Sequence, residues 1–149
     1  MEEKYLLAEE LREERNYQRR PQLCGLFFSE NIGDSCMKYS ESLKKNRDFQ
    51  NVYKNGTSYA NRLLVMYVLE NHTNKNRIGI SVSKKVGNSV IRHHITRLVR
   101  ESYRLHEDMF NSGLDIVVIA RAGAKNSTYW DIESALLHLG GLHKVIINR

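Results

Sequence analysis

The stretch RIGISVSKKVGNSVIRHHITRLVRESYR, residues 77–104, contains the elements that decide the fold. It begins with alternating apolar and polar residues, which predict a β-strand. Gly87 permits a tight turn, and Asn88 or Ser89 can cap the helix that follows. The helical pattern continues to about Phe110. The stretch therefore predicts a strand, a glycine turn and a long basic helix in direct succession.

This predicted helix has two chemically different faces when it is projected at about 100° per residue. The stripe expected to face solvent contains Arg92, His93, Thr96, Arg97, Arg100, Tyr103 and Arg104. The stripe expected to pack on a sheet contains Ile91, Ile95, Leu98, Ser102, Leu105 and Met109, and His94 falls on the border. Solvated helix faces usually mix charges of both signs, whereas here only Glu101 interrupts the arginines. The basic stripe therefore indicates an anion-binding surface, to which Lys84, Lys85 and the amides of the helix N-terminus contribute.

The formal charge of +6 over 149 residues hides an asymmetry along the chain. Residues 1–36 hold 5 Lys+Arg and 8 Asp+Glu, a net of −3, and residues 37–149 hold 18 and 9, a net of +9. A small basic domain suits a nucleic acid or an anionic membrane. Its basic helix lacks the large exposed apolar residues of a membrane-surface helix, so we expect a polyanion partner and no membrane. The acidic N-terminus is unlike a signal peptide and no apolar run could span a bilayer, so we expect a cytoplasmic protein.

The remaining pattern predicts an α+β fold. A helix with Phe49, Val52 and Tyr53 on one face is followed by strand formers over 58–71, a region long enough to form two strands. We expect residues 71–76 to form a hairpin loop that leads into the strand at 77–83. After the basic helix come a strand at 115–121 and a last helix capped by Ser127 or Thr128. The order αβββαβα predicts a two-layer sandwich, with the sheet packed by helices on one face.

The sequence offers no convincing catalytic group of its own. His93 and His94 are adjacent on a helix, so their side chains diverge by about 100°. The carboxylates, among them Glu101 and Asp115, follow no metal-binding or acid–base pattern. We therefore expect neither a catalytic residue nor a metal ligand set in the protein itself.

Two segments carry a resemblance to a known family. SKKVGNSVIRHHITRLVRESYR, residues 83–104, and LKKNRDFQNVYKNGTSYANR, residues 43–62, resemble the protein subunit of bacterial ribonuclease P. The resemblance covers about residues 37–143. It implies a ribosomal-protein-like fold with a left-handed βαβ crossover, although such crossovers are normally right-handed. It also implies a ribonuclease P RNA partner that cleaves the 5′ leader from precursor tRNA with Mg²⁺ bound mainly by the RNA, and no role in binding DNA.

The resemblance also implies roles for individual residues. Contacts to the catalytic RNA are expected from Lys84, Lys85, Asn88, Arg92, His93, His94, Arg97, Arg100 and Arg104. The leader is expected to stack in a cleft with Phe49, Tyr53, Lys54 and Arg62, because aromatic rings beside positive charge bind single-stranded RNA. The family usually has Arg-Asn-Arg where this chain has Arg92-His93-His94, and often a basic residue in place of Thr96. The histidines can still donate hydrogen bonds, and they gain charge at mildly acidic pH.

Two questions stay open at the level of the sequence. Met37 stands where family members commonly begin, so we expect residues 1–36 to be a poorly ordered, dispensable extension of a domain at 37–149. The alternative function is that of a structural RNA-binding module such as a ribosomal protein. Only a ribonuclease P subunit is expected to accelerate cleavage of precursor tRNA by the cognate catalytic RNA.

Overall fold

A computed structural model of the chain describes residues 37–147, which form a five-stranded mixed sheet and three α-helices. The elements are β1 Ser40–Ser42, α1 Asn46–Asn55, β2 Thr57–Ala60, β3 Leu64–Glu70, β4 Asn76–Val82, α2 Ser89–His106, β5 Leu114–Ala120 and α3 Tyr129–Leu142. Single 3-10 turns follow α2 and β5, at Glu107–Met109 and Ala122–Asn126. The α+β class and the predicted order of helices and strands are confirmed. Strand β1 is an addition to that order, and the predicted extension at 1–36 lies outside the described residues.

The sheet has the strand order β1-β4-β5-β3-β2, with β5 at its centre. Strand β5 runs parallel to β4 and antiparallel to β3. The predicted hairpin between β3 and β4 is therefore wrong, because β5 lies between them. The physical reason is the apolar run of β5, in which Ile116, Val117 and Val118 are all fully buried. A strand that is apolar on both faces must occupy the middle of a covered sheet.

Helices cover both faces of this sheet. Helices α2 and α3 pack on the face that includes Met66 and Val118, where they form the main core. Helix α1 packs on the opposite face, where Val52 meets Val117 and Leu43. The predicted placement on one face thus holds for α2 and α3 but not for α1. No helix within residues 37–147 has both the length and the apolar character required to cross a bilayer.

The rotation of α2 about its axis differs from the one predicted. Its buried residues are Ile95, Val99, Ser102 and Tyr103. Tyr103 was expected in the solvent-facing stripe, yet it is fully buried. Its hydroxyl lies 3.0 Å from Ser40 Oγ, and its ring packs against Phe110 at a centroid distance of 5.1 Å. Leu105, expected on the sheet, is 49% exposed instead.

His143, just after α3, ties the end of that helix to the edge of the sheet. Its Nε2 lies 3.0 Å from the Met66 carbonyl oxygen, and its Nδ1 lies 3.3 Å from Thr57 Oγ1. The ring also packs edge-on against Tyr59, at a centroid distance of 4.7 Å. Burial lowers the pKa of His143, although the hydrogen bond to Met66 partly opposes this effect.

We expect the protein to lose stability as the pH falls below about 6.5, the ordinary pKa of histidine. The unfolded chain then takes up a proton at His143 that the folded chain resists, so protonation favours unfolding. His143→Gln keeps a donor for the Met66 carbonyl but cannot titrate, so its unfolding free energy should fall less between pH 7 and pH 5. Urea denaturation at several pH values measures this, with the exposed His138→Gln as the control. Equal pH dependence in wild type and His143→Gln would contradict the assignment.

Candidate nucleic-acid interface

The N-terminus of α2 presents positive charge that no acidic side chain of its first turn compensates. Asn88 is the N-cap, and its Oδ1 accepts a hydrogen bond of 3.0 Å from the backbone N–H of Ile91. Lys84 and Lys85 precede the cap and are exposed. The helix dipole and the two ammonium groups therefore favour an anion at the same place.

The predicted RNA contacts on α2 differ in how far their side chains are exposed to solvent. His93, His94 and Arg97 are exposed, and Arg100 is half-buried. Arg104 is bound to Glu101 by two hydrogen bonds of 2.9 and 2.7 Å. Arg97 and Arg100 thus form the accessible cationic part of the helix, with His93 and His94 beside them, while Glu101 balances the charge of Arg104.

Arg92 lies at the margin of this cationic part, next to the buried face of the helix. Its side chain is half-buried, and its Nε–H is buried without a hydrogen-bond partner among the described residues. We therefore place Arg92 at the edge of the surface, not at its centre.

A further cation, absent from the residues predicted above, lies at the end of the sheet from which α2 starts. Val82, the last residue of β4, pairs with Ala120, the last residue of β5. The exposed Arg121 therefore leaves the sheet beside the loop that carries Lys84 and Lys85, and its Nη1 donates a hydrogen bond of 2.9 Å to the Asn61 carbonyl oxygen. The sequence could have indicated Arg121 only through its position directly after a strand. That position becomes informative once β5 is known to lie parallel beside β4.

An aromatic cluster lies on the other face of the sheet, against α1. The ring centroids of Phe49 and Tyr53 are 6.4 Å apart, and those of Tyr53 and Tyr67 are 5.1 Å apart with an edge-on arrangement. All three rings are partly exposed. Burial raises the pKa of Tyr53, and a hydrogen bond with Ser81 partly offsets that effect. Tyr67 was not predicted as part of this cluster, because only the folded sheet brings β3 next to α1.

Gly79 of β4 allows Phe49 to lie directly on the sheet. A Cβ atom at residue 79 would lie 2.6 Å from the Cε1 and Cζ atoms of Phe49 and 3.2 Å from Leu43 Cδ2. The missing side chain of Gly79 is thus the space that the Phe49 ring occupies. We define Phe49, Tyr53 and Tyr67 as the aromatic cleft.

The other two predicted leader contacts lie in different surroundings. Lys54 follows Tyr53 in the last turn of α1 and is exposed. Arg62 lies in the turn between β2 and β3 and lines a second, polar cleft with residues of α3, among them His138. Lys54 therefore lies beside the aromatic cleft, because it follows Tyr53 in α1. Arg62 lies near α3 instead.

Among the described residues, His, Cys, Asp and Glu do not gather in groups of three that could hold a metal ion. Two carboxylates, Asp48 of α1 and Asp115 of β5, are engaged in ion pairs with Arg77 instead. Asp115 accepts hydrogen bonds from both the Nε and the Nη2 of Arg77, and Asp48 accepts one from Nη1 at 3.3 Å. The arrangement is that of a structural ion pair at the start of β4.

The fold and these surfaces define a basic α+β protein with a cationic helix on one side of the sheet and an aromatic cleft on the other. The chain matches the family described as Ribonuclease P over residues 37–142. It therefore belongs to the ribonuclease P protein family, and its function is that of the protein subunit of this tRNA-processing endonuclease. This membership decides against the alternative of a ribosomal protein.

Individual relatives agree with the family match. The ribonuclease P protein component of Lachnoclostridium phytofermentans is 64% identical over 107 residues, which cover 72% of this chain and 92% of that protein. The structure of the Staphylococcus aureus RNase P protein is similar with a TM-score of 0.67 and 44% identity, over 71% of this chain and 97% of that one. The structure of the Thermotoga maritima RNase P protein is similar with a TM-score of 0.62 and 33% identity, over 66% of this chain and 94% of that one.

We predict that Gly79→Ala displaces the Phe49 ring from the sheet. The added methyl group overlaps two ring atoms, and overpacking of this kind costs about 1–3 kcal/mol. Urea denaturation should show this loss of stability, and Phe49 should become more accessible. Gly141→Ala in α3 is the matched control because its Cβ meets no atom within 4 Å, and we expect it to be neutral or to stabilise by roughly 0.5–1 kcal/mol. Equal effects of the two substitutions would contradict the account of Gly79.

Proposed function

We propose that the cationic surface at α2 binds the catalytic RNA of ribonuclease P, and that the aromatic cleft holds the 5′ leader of precursor tRNA. The observation that carries the proposal is the exposure of basic side chains and hydrogen-bond donors together on one surface. The residues of this surface are Lys84, Lys85, His93, His94 and Arg97, with Arg100 half-buried beside them. The two ligands then occupy opposite faces of one sheet.

The chemistry of each surface matches the ligand proposed for it. Ammonium and guanidinium groups release counterions from an RNA backbone, and a guanidinium can bind two phosphate oxygens at once. The cleft instead offers partly exposed rings, on which unpaired bases stack without a requirement for sequence. Lys54, one residue beyond Tyr53, supplies positive charge for the leader backbone.

In this proposal the protein positions the leader, and the RNA subunit carries out the cleavage with Mg²⁺ that it holds itself. Support comes from the protein's own carboxylates, of which Asp48, Glu101 and Asp115 are engaged by arginines. Within residues 37–147, His, Cys, Asp and Glu form no group of three that could hold a metal ion. Membership of a tRNA-processing family also supports the expected cytoplasmic location.

Reconstitution tests the proposal directly. The full-length protein, added to its cognate catalytic RNA at low Mg²⁺ concentration, should accelerate removal of the leader from precursor tRNA. The protein alone should not cleave. Cleavage by the protein without RNA, or no acceleration with it, would sink the proposal.

Arg97→Ala combined with Arg100→Ala should weaken binding to the catalytic RNA. The logarithm of the binding constant falls linearly with the logarithm of the salt concentration, and each lost phosphate contact makes this slope shallower by roughly 1. The slope of the double variant should therefore be shallower by about 2. Lys75→Ala with Lys144→Ala removes the same charge from exposed sites away from α2 and serves as the control. Filter binding over a series of salt concentrations measures both slopes, and identical slopes would count against the α2 surface.

Phe49→Ala should weaken binding of precursor tRNA much more than binding of mature tRNA to the holoenzyme. One stacked base contributes roughly 1–3 kcal/mol, and mature tRNA has no leader to stack. Competition binding with the two RNAs measures the difference. An equal loss for both would show that Phe49 acts on folding or on assembly, and circular dichroism of the variant distinguishes these two.

A further inference from the structure

A polar cleft of about 600 Å³ lies between the β2–β3 turn, the 3-10 turn after β5, and α3. Its floor is apolar, with Leu63 and Ala135. Its walls are polar and include Arg62, Asn126, Ser134 and His138. Its volume lies within the range of known ligand-binding clefts. The surfaces assigned above to α2 and to the aromatic cleft do not include it.

The side chains of the wall are available to a ligand. Arg62, Asn126, Ser134 and His138 are exposed, and within residues 37–147 none of them is engaged in a side-chain hydrogen bond or an ion pair. Together they offer a guanidinium, an amide, a hydroxyl and an imidazole, all of which can donate to phosphate oxygens.

The backbone that carries Arg62 is held firmly against α3. Asn61 Nδ2 donates a hydrogen bond of 3.0 Å to the Ala135 carbonyl oxygen, and Asn61 Oδ1 accepts from Leu63 and Leu64 at 3.1 and 2.8 Å. Gly123 closes the other wall, since a Cβ there would lie 3.1 Å from the Arg62 carbonyl oxygen. The cleft is therefore preformed by the fold.

The single carboxylate that lines the cleft is already compensated. Asp131 Oδ2 accepts hydrogen bonds of 2.8 Å from both the backbone N–H and the hydroxyl of Thr128, in the capping box of α3. Its charge is thus directed to the helix N-terminus, where it interacts favourably with the helix dipole. The cleft consequently remains favourable for an anion.

The cleft is continuous with the cationic surface at α2. Arg121 donates to the carbonyl oxygen of Asn61, which lines the cleft, and it leaves the sheet beside Lys84 and Lys85. Lys125 lies next to the lining residue Asn126, in a 3-10 turn that contacts α2. A chain of exposed cations therefore leads from the start of α2 to the cleft.

We propose that this polar cleft binds a backbone segment of the catalytic RNA, with Arg62 and His138 as phosphate contacts. The inference rests on the proposed function, because it extends the RNA surface of α2 around the end of the sheet. The occupant is the catalytic RNA and not the leader, because the aromatic cleft lies on the opposite face. Arg62 is thereby moved from the leader contacts to the catalytic RNA contacts.

Binding measurements on the full-length protein test this assignment. Arg62→Ala with His138→Ala should weaken binding of the catalytic RNA about 10-fold at moderate salt. The slope of log binding constant against log salt concentration should become shallower by roughly 1, because one permanent positive charge is removed. The control, Lys144→Ala, removes one exposed charge from a different cleft. Unchanged affinity and slope relative to this control would overturn the proposal.

A mapping experiment gives a second readout that does not depend on affinity. The substitution Ser134→Cys, made in a Cys24→Ser, Cys36→Ser background, places one thiol in the wall of the cleft for attachment of an iron chelate. The hydroxyl radicals that the chelate generates cut nearby RNA. We expect cuts at discrete positions in the catalytic RNA of the assembled holoenzyme, stronger than from a chelate introduced by Lys144→Cys. Cuts in the leader, or none above this control, would overturn the assignment.

The two proposals fail in distinguishable ways. If the wild-type protein does not bind the catalytic RNA, the proposed function falls and the inference falls with it. If Arg97→Ala with Arg100→Ala weakens binding while Arg62→Ala with His138→Ala does not, only the polar cleft is refuted.

Discussion

The burial of one face of α2 fixes which of its cations meet solvent. Val99 and Tyr103 are fully buried, and the Tyr103 hydroxyl lies within hydrogen-bond distance of Ser40 in the edge strand β1. Since a helix turns as a rigid body, this contact determines the direction of every other side chain on it. Arg97 consequently faces solvent, while Arg92 lies beside the core. The position of a tyrosine in the core thus determines which side chains form the basic surface.

The central position of β5 has a second consequence for function. Because β4 and β5 are parallel neighbours, the loops that follow them leave the sheet at the same end. The turn between β2 and β3 lies at that end too, since Leu64 pairs with Ala120. Cations that are far apart in the sequence, such as Arg62, Lys84 and Arg121, are thereby gathered at one end of the sheet. Strand order, more than any single motif, assembles the basic surface.

The sequence predicted local structure well and long-range pairing poorly. The start of α2 at Ser89 and the cap of α3 at Thr128 follow from short-range hydrogen bonding, which the residue types specify. The hairpin of β3 and β4 was wrong because adjacency in sequence does not determine adjacency in a sheet. Tyr103 was misplaced because a tyrosine suits core and surface alike, and its partner Ser40 belongs to a strand of three residues without a sequence signature.

In the proposed function, the sheet separates two RNA surfaces that depend on different physical forces. Binding at the α2 surface would rest on charge, so its affinity would fall with added salt. Binding at the aromatic cleft would rest mainly on stacking against Phe49 and its neighbours, a contact that salt screens far less. Two residues outside the proposed contacts position these surfaces: the absent side chain of Gly79 leaves room for the Phe49 ring, and Tyr103 fixes the rotation of α2.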